Sequence, residues 1–465
     1  MKYQFLRLFL LFTAITSLVV FNSCEDDDEI LRDGFILNEG TPDEFQTNIE
    51  IGQITTSNID RTSISAAVDI SELDPQFPVV QHGFVWSSVN QNPTLTDDFN
   101  ELGALSSIGE VTSNIEGLDA GTTYFIRPYL TVEEGTGLGV VTTFETLPDI
   151  VLSVNEGNFG RENGSLSSFS VTTETVDQTV FDADATIQNA IRVENDLYLV
   201  TNAPDRLDIL TVDGNEITFS NSITSGFFNP IGFARVGNFG YVTNWGPFDQ
   251  NFETPDPFLA IVDLEANEVI DSIELGIRPQ EIIAVDDQLY IANERGSTVT
   301  VLDASGSNST ITTEIDVPFG PSIMVVDATG NLWVLCTSGN LVEIDLNTNT
   351  VVNTIDGVTV NGFDEKMVIN NTGDIIYFLG GTNDTFTGLT NVFEVNLTTA
   401  SPTAISFVSE GFAFYGIGVD PENGDVYVGD SNAFQSPGTG IRYSSDGTQI
   451  TTFATGIGPN SFLFL

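Results

Sequence analysis

A four-residue motif that recurs along residues 199–430 constrains the fold more than any other feature. Its copies are separated by 42 to 50 residues and begin at Leu199, Tyr241, Tyr290, Trp333, Tyr377 and Tyr427. Each copy has the composition of a buried strand, and a second strand follows it, such as Thr300-Val301-Leu302-Asp303. A period in the forties with several strands per unit is typical of four-stranded propeller blades. The repeat therefore predicts six blades.

The two ends of the repeat region predict one further blade. Gly458 to Leu465 has the pattern of an inner strand, and Ile150 to Asn155 and Ser165 to Val171 have that of outer strands. A blade built from both ends closes the ring by hydrogen bonds and leaves no free inner edge. We therefore predict a seven-bladed β-propeller over residues 150–465.

Composition supports an all-β fold and excludes one class of partner. The chain has 465 residues, with 66 Asp+Glu against 13 Lys+Arg and a formal charge of −53. Nucleic-acid binding is excluded, because it depends on Lys and Arg that neutralise phosphates. The single histidine, His82, leaves little scope for His-based catalysis or His-ligated metals, and we interpret it as a structural or surface residue. Short runs of Val, Ile, Thr and Phe favour strands over helices.

The N-terminus has the pattern of a bacterial lipoprotein signal over residues 1–23. Basic Lys2 and Arg7 precede an apolar stretch, Leu8 to Phe21, which is too short to span a bilayer. The residues Phe21-Asn22-Ser23-Cys24 resemble a lipobox, so Cys24 is the predicted lipid attachment site; the alternative is an ordinary signal with a stray cysteine. Cys336 would then lack a partner, and we expect no intramolecular disulfide.

Residues 24–47 are predicted to be an acidic tether. The run Glu25 to Glu29 is too charged to pack against a core. An acidic run directly behind a lipidated cysteine resembles the export signal that sends Bacteroidota lipoproteins to the outer face of the outer membrane. We therefore expect a protein held at that membrane by its lipid anchor alone and facing the cell exterior.

Residues 48–147 predict a small β-sandwich. Short strand-like runs alternate with turns, among them Ile64 to Ile70 and Thr123 to Thr131. The segment Gly117 to Tyr129 resembles the tyrosine corner of fibronectin type III domains, with Leu118 and Tyr124 in the motif positions. The resemblance implies a spacer that lifts the propeller away from the membrane.

The propeller sequence resembles a family of surface lipoproteins. Tyr241-Val242-Thr243-Asn244 reproduces the tetrapeptide of YVTN-type repeats. The opening Val154 to Gly160, the segment Tyr415 to Asp430 and the exit Gly456 to Pro459 are similar to those of the Bacteroidota surface β-propeller lipoproteins that bind cobalamin. The resemblance implies capture of a cobalamin-like molecule and its transfer to a TonB-dependent outer-membrane transporter.

Candidate ligand-binding residues lie in the loops after the second strands and before the inner strands, which share one propeller face. Aromatic rings there suit a large flat ligand, and amide side chains suit its peripheral amides, because they both donate and accept hydrogen bonds. Arginines would bind a phosphate or carboxylate. The candidates are Asn202, Asn244, Trp245, Phe248, Arg278, Asn293, Arg295, Phe319, Phe386, Phe412, Tyr415, Asp430 and Phe434.

Several alternatives remain open from sequence. Asn202, Asn244, Asn293 and Asp430 have a structural interpretation as loop-bonding residues, and Arg278 and Arg295 could instead pair with Glu281 or Glu294. Two other function classes also fit: an adhesin or glycan-binding scaffold, and a lactonase-like hydrolase with a central metal. We predict no catalytic residue, cofactor or metal ligand, although acidic loops leave Ca²⁺ binding open.

Overall fold

A computed structural model describes residues 36–37, 49–251, 253–360, 365–381, 389–409 and 411–465. The predicted signal, Cys24 and nearly all of the tether lie outside the described residues, as does Phe386. The described elements are β-strands and two short 3₁₀ turns, Gly306–Asn308 and Asn432–Phe434. Within these ranges, no helix has the length and apolar character needed to cross a bilayer.

The first part of the chain forms two antiparallel sheets. In one sheet, the central strand β4 pairs with β7 on one side and with β2 and β3 on the other. In the other, β8 pairs with β5 and with the broken edge β9 and β10; β6 and β1 complete it. The strands are β1 (Ile36–Leu37), β2 (Glu50–Ile51), β3 (Thr55–Ser57), β4 (Ser63–Glu72), β5 (Gln81–Ser87), β6 (Asp98–Phe99), β7 (Gly109–Glu116), β8 (Thr123–Val132), β9 (Gly135–Leu138) and β10 (Thr142–Glu145).

One buried cluster joins the two sandwich sheets. Ile64 and Ala66 of β4 pack with Phe84 of β5 and with Tyr124 and Ile126 of β8. The alternation of buried and exposed residues along β4 follows from the two-residue period of a strand with one covered face.

The corner motif and the single histidine have structural roles in this sandwich. The backbone N–H of Asp119 donates to the Tyr124 hydroxyl at 2.9 Å, as the tyrosine-corner resemblance implies. His82 is buried, and its Nδ1 lies 2.7 Å from the carbonyl oxygen of Gly103. β1 pairs with β9, so part of the predicted tether adds a strand to this sheet.

The rest of the chain forms seven four-stranded antiparallel blades within the described residues, and the predicted all-β class and seven-bladed propeller are confirmed. Six blades use consecutive strands. Blade 1 comprises β14–β17, blade 2 β18–β21, blade 3 β22–β25, blade 4 β26–β29, blade 5 β30–β33 and blade 6 β34–β37.

The strands of blades 1 to 3 are β14 (Thr186–Val193), β15 (Asp196–Asn202), β16 (Arg206–Asp213), β17 (Glu216–Ile223), β18 (Pro230–Val236), β19 (Phe239–Asn244), β20 (Phe258–Asp263), β21 (Glu268–Glu274), β22 (Pro279–Val285), β23 (Gln288–Asn293), β24 (Thr298–Asp303) and β25 (Thr310–Asp316). Those of blades 4 to 6 are β26 (Pro321–Val326), β27 (Asn331–Cys336), β28 (Asn340–Asp345), β29 (Thr350–Asp356), β30 (Met367–Ile369), β31 (Ile375–Gly380), β32 (Asn391–Asn396), β33 (Ala404–Val408), β34 (Phe414–Val419), β35 (Val426–Asp430), β36 (Thr439–Tyr443) and β37 (Gln449–Ala454).

Blade 7 is built from both ends of the propeller sequence. Its inner strand is β38 (Pro459–Phe464), which pairs with β11 (Ile150–Asn155). β12 (Ser165–Ser170) and β13 (Val176–Asp182) complete the blade. The predicted closure is therefore present, with β13 as its outermost strand.

The core lies between the blades rather than inside them. Each pair of neighbouring blades shares one buried cluster. The second strand of a blade is covered on both faces, which explains its continuous apolar sequence. Its aromatic residue, such as Tyr290 or Trp333, packs against the following blade.

The sandwich contacts the end of the propeller opposite the loops that hold the candidate residues. Arg61 pairs with Asp149 at 3.3 Å and with Glu422, which lies in the turn between β34 and β35. Asn215, in the turn between β16 and β17, donates its side-chain N–H to the carbonyl oxygen of Pro148 at 3.0 Å. These turns lie at the ends of the inner and third strands that point away from the candidate face.

Candidate functional site

A central channel runs along the propeller axis and encloses a cavity of about 780 Å³. All seven inner strands contribute to its wall. Polar and charged side chains gather toward the loop face, and apolar residues such as Ile191, Val325 and Val419 line the remainder. At the opposite end, Arg192 donates to the carbonyl oxygen of Phe464 at 3.0 Å.

A backbone feature that recurs in several blades directs side chains into this channel. In four blades a proline starts the inner strand, and the preceding residue has a positive φ: Asn229 (50°), Arg278 (57°), Gly320 (80°) and Gly458 (65°). The strand register then shifts within the next three residues. Such a bulge re-aims the side chains at its position. The residues after the proline, including Gln280, Ser322 and Asn460, therefore line the channel.

Four glutamates and two basic residues meet near the channel mouth. The glutamates are Glu156, Glu281, Glu294 and Glu365, and the basic residues are Arg278 and Lys366. Arg278 Nε lies 2.9 Å from Glu294 Oε2, and the Tyr415 hydroxyl donates to Glu156. Lys366 Nζ lies 5.7 Å from the centroid of the Tyr415 ring. The mouth thus offers both acceptors and charged donors.

The carboxyl group of Glu281 has a raised pKa. Burial in the channel wall raises the pKa of its carboxyl to about 7, while the charge of Lys366 acts in the opposite direction. Its protonation therefore changes near neutral pH. A neutral carboxyl donates a hydrogen bond, whereas the carboxylate only accepts.

Trp245 and Arg278 form a stacked pair at the mouth. The guanidinium carbon of Arg278 lies 3.9 Å from the centroid of the Trp245 ring, within the range of a cation–π interaction. Among the described residues, the buried Nε1 of Trp245 has no hydrogen-bond partner, and neither do Oγ of Ser322 and Oε1 of Gln280. An unpaired buried donor or acceptor costs about 1–3 kcal/mol. A ligand in the channel is one way to satisfy these atoms.

Exposed phenylalanines lie on the same face of the propeller as the channel mouth. They lie in the loops after second strands or before inner strands and are between 50% and 82% exposed: Phe159, Phe228, Phe248, Phe319 and Phe412. We call this set the phenylalanine rim. Exposed aromatic rings grouped around a cavity are typical of a binding surface rather than of isolated surface residues.

Three predicted ligand-binding residues line the cavity itself: Trp245, Arg278 and Tyr415. Phe248, Phe319 and Phe412 belong to the phenylalanine rim. The ring of Phe434 lies edge-on to that of Tyr415, with centroids 4.9 Å apart. Arg295 is 52% exposed and lies 3.9 Å from Glu253.

The amide and carboxylate residues at the ends of the second strands make contacts inside the protein. Asn244 Oδ1 accepts from the backbone N–H of Phe228 at 2.9 Å, and its Nδ2 donates to the carbonyl oxygen of Val242. Asn293 donates to the hydroxyls of Thr298 and Thr300, both at 2.9 Å. These contacts agree with the structural interpretation that the sequence left open.

The other two members behave similarly. Asp430 accepts from the backbone N–H groups of Ala413 and Asn432. Asn202 is buried, and its Oδ1 accepts from the side chain of Gln188 at 3.3 Å. Asn202 is therefore the member of this set that contacts a channel-lining residue directly.

Sequence reasoning did not select several channel residues. Glu156, Gln280, Ser322, Glu365 and Lys366 line the cavity, yet none was a candidate. The signal available for two of them was their position directly after the proline that begins an inner strand. Lys366 also had a compositional signal, since it is one of two lysines in the whole sequence.

The channel glutamates do not form a cluster of the kind that holds a metal. Among the described residues, no group of three or more His, Cys, Asp or Glu side chains could hold a metal ion. The thiol of Cys336 is buried and belongs to the core between blades 3 and 4.

Comparison with known proteins establishes the fold. No protein-family model and no curated protein sequence matches the chain. A quinonprotein alcohol dehydrogenase-like protein of Bacteroides thetaiotaomicron is similar in structure, with TM-score 0.52 and 15% identity over 90% of this chain and 99% of that one. That match extends beyond the propeller into the sandwich.

Two further solved structures match the propeller. A provisionally named 6-phosphogluconolactonase of Bacteroides fragilis has TM-score 0.54 and 11% identity, over 68% of this chain and 98% of that one. A functionally unknown protein of Desulfotomaculum acetoxidans has TM-score 0.52 and 13% identity, over 68% and 98%. At such low identity these likenesses concern the fold alone. They place the chain among the β-propeller proteins.

Proposed function

We propose that this protein captures a large, partly apolar ligand that carries amide groups, and that it binds this ligand across the loop face of the propeller. The observation that carries the proposal is the phenylalanine rim around a channel mouth that holds both donors and acceptors. Aromatic rings would cover the apolar faces of the ligand, while carboxylates and basic side chains would bond its amides. Cobalamin is the first ligand to test, because the sequence resembles cobalamin-binding surface lipoproteins.

The contact between the sandwich and the propeller supports a spacer role for the sandwich. Arg61 and Pro148 meet the propeller at the end opposite the phenylalanine rim. With the chain anchored through Cys24, this arrangement would point the binding face away from the tether. The bound molecule would then be accessible to a TonB-dependent transporter in the same outer membrane.

A matched pair of phenylalanines tests the binding face. Phe319 belongs to the phenylalanine rim and Phe219 lies on the outer strand β17, and both are 56% exposed. In calorimetric titration with cyanocobalamin, we expect Phe319→Ala to weaken binding roughly three- to tenfold through lost ring contact. Phe219→Ala should leave the affinity unchanged.

Two outcomes would contradict this proposal. Equal losses in both variants would mean that the rim is not the binding surface. Failure of the unsubstituted protein to bind cyanocobalamin at micromolar concentration would exclude cobalamin, and mass spectrometry of what co-purifies from cell extract would then identify the captured molecule.

Anchoring has its own test. Cys24→Ser should release the protein from the membrane fraction, because the lipid is the proposed attachment. Removing the acidic run 25–29 while keeping Cys24 should retain the anchor but lower protease accessibility on intact cells. A Cys24→Ser variant that stays in the membrane fraction would contradict the lipoprotein proposal.

A further inference from the structure

We propose that Arg278 and Glu294 together recognise a carboxamide group of the ligand at the channel mouth. In this proposal the unfavourable backbone conformation of Arg278 serves to position its side chain for that recognition. This inference rests on the proposed function and specifies which chemical group of the ligand is recognised.

The backbone position of Arg278 favours other residue types. The equivalent position before the inner-strand proline holds Asn229 in blade 2, Gly320 in blade 4 and Gly458 in blade 7, all with positive φ. Glycine and asparagine tolerate this left-handed region, whereas arginine adopts it at a cost. A following proline restricts the residue further. Arg278, with φ 57°, is therefore the unusual occupant of a shared structural position.

Strained residues of this kind persist where surrounding contacts determine them, and they cluster at functional sites. The contacts of the Arg278 side chain include its stack on Trp245 at 3.9 Å and its pair with Glu294 at 2.9 Å. Glu294 is 7% exposed, so the pair is largely protected from solvent. Arg278, Trp245 and Glu294 all line the cavity.

The arginine–glutamate pair matches the two halves of a carboxamide. The guanidinium carries only donors and the carboxylate only acceptors. A carboxamide offers one carbonyl oxygen to the first and one NH₂ group to the second. The unpaired Nε1 of Trp245 and the unpaired hydroxyl of Ser322, a residue only 1% exposed, supply further hydrogen-bonding groups in the same wall.

A free carboxylate fits this arrangement less well. It would add a negative charge to a channel wall that already contains Glu294 and Glu365, and like charges in such proximity disfavour each other. We therefore expect the site to select the amide over the corresponding acid.

The first experiment measures strain without any ligand. Arg278→Asn is made in a Glu294→Gln background, so that no buried carboxylate loses its partner. Because asparagine tolerates a left-handed φ, we expect the relief of strain to outweigh the loss of the stack on Trp245, so that the melting temperature rises by roughly 2 °C relative to Glu294→Gln alone. The control is Arg161→Asn in the same background, an exposed arginine on the same face whose φ is not positive. It should not change the melting temperature.

The second experiment measures recognition with defined probes. Arg278→Asn alone should weaken cyanocobalamin binding at least about tenfold, as expected for loss of a charged hydrogen bond; Arg161→Asn should not. Cyanocobalamin derivatives in which one peripheral amide is hydrolysed to an acid should include an isomer that the unsubstituted protein binds less tightly. Arg278→Asn should bind that isomer and cyanocobalamin equally.

The outcomes separate this inference from the proposed function. A fall in melting temperature on Arg278→Asn in the Glu294→Gln background would overturn the inference, because Arg278 would then be serving the fold. Unchanged affinity in Arg278→Asn, or equal binding of all acid isomers by the unsubstituted protein, would overturn its recognition role. If the unsubstituted protein binds no cyanocobalamin, the cobalamin proposal fails, and the melting temperatures alone decide whether Arg278 is strained.

Discussion

Trp333 and Trp245 occupy two regions of the same propeller and serve different ends. Trp333 lies in the second strand of blade 4, is 2% exposed and donates its indole N–H to Asp327 at 2.8 Å. Trp245 follows the second strand of blade 2 and lines the cavity, and its indole N–H has no acceptor in the part of the chain that the structure describes. Trp333 is packed and hydrogen-bonded within the fold, whereas the indole N–H of Trp245 is left to donate to a ligand. The difference shows how one repeated strand can stabilise the ring while the loop behind it carries function.

The largest expected effect on stability comes from substitution of Trp333, the tryptophan within a strand. Trp333→Ala should lower the free energy of unfolding by roughly 3–5 kcal/mol, because it removes a large buried ring and its hydrogen bond to Oδ2 of Asp327. Denaturant unfolding measures this loss. A loss near 1 kcal/mol would mean that Trp333 contributes no more than a surface residue, and it would contradict the proposed difference between Trp333 and Trp245.

Asn244→Ala should have the next largest effect. Its amide satisfies the backbone N–H of Phe228 and lies within a fully buried site. Leaving that N–H unpaired should cost about 2 kcal/mol. The same unfolding experiment applies. An unchanged stability combined with weaker ligand binding would instead assign Asn244 to the binding face.

Glu281 tests whether a residue of the channel wall lowers the stability of the fold when it is ionised. Its pKa of about 7 in the folded protein exceeds the ordinary glutamate value of 4.5, so between these pH values the folded state holds a proton that the unfolded state releases. Stability should therefore fall as pH rises from about 4.5 to about 7. Glu281→Gln should remove roughly 1–2 kcal/mol of that fall, after allowance for solvent in the open channel.

The pH dependence is best measured as a difference. Subtracting the unfolding free energy of Glu281→Gln from that of the unsubstituted protein at each pH removes the contribution of the many other carboxylates. A difference that does not change between pH 4.5 and pH 8 would mean that Glu281 is ordinarily solvated.

Trp245→Ala should have the smallest effect on stability. It removes the stack with Arg278, which contributes about 1 kcal/mol, and it removes an unpaired buried N–H. Cyanocobalamin binding should weaken at the same time, as measured by calorimetry. If this variant is destabilised as much as Trp333→Ala, Trp245 is a packing residue and the contrast between the two regions disappears.

The ring architecture was predictable from sequence because its signal is repeated. Every blade needs a second strand that is buried on both faces, so the apolar run around Tyr290 or Trp333 recurs at each period. The closing blade was predictable because Pro459 to Phe464 has the pattern of a single strand, and the strands needed to complete its blade occur only at the start of the propeller sequence.

The channel was only partly predictable because its residues lie at bulges. The alternation of a regular strand predicts which side chains share a face, but the register shift after Pro279 places Gln280 and Glu281 differently. Trp245 and Arg278 could be found because they stand out in loops. Lys366 and Glu365 come from a different blade, and only the closed ring brings them near Glu281.

The shared blade also determines how the propeller resists a pull from its N-terminal side. β11 lies between β12 and β38 and is hydrogen-bonded to both along most of its length. Tension that reaches Ile150 from the sandwich runs parallel to these two ladders, so it loads many hydrogen bonds in shear at once rather than opening them one after another. The chain therefore enters the ring through a strand that two hydrogen-bond ladders hold against a pull from this side.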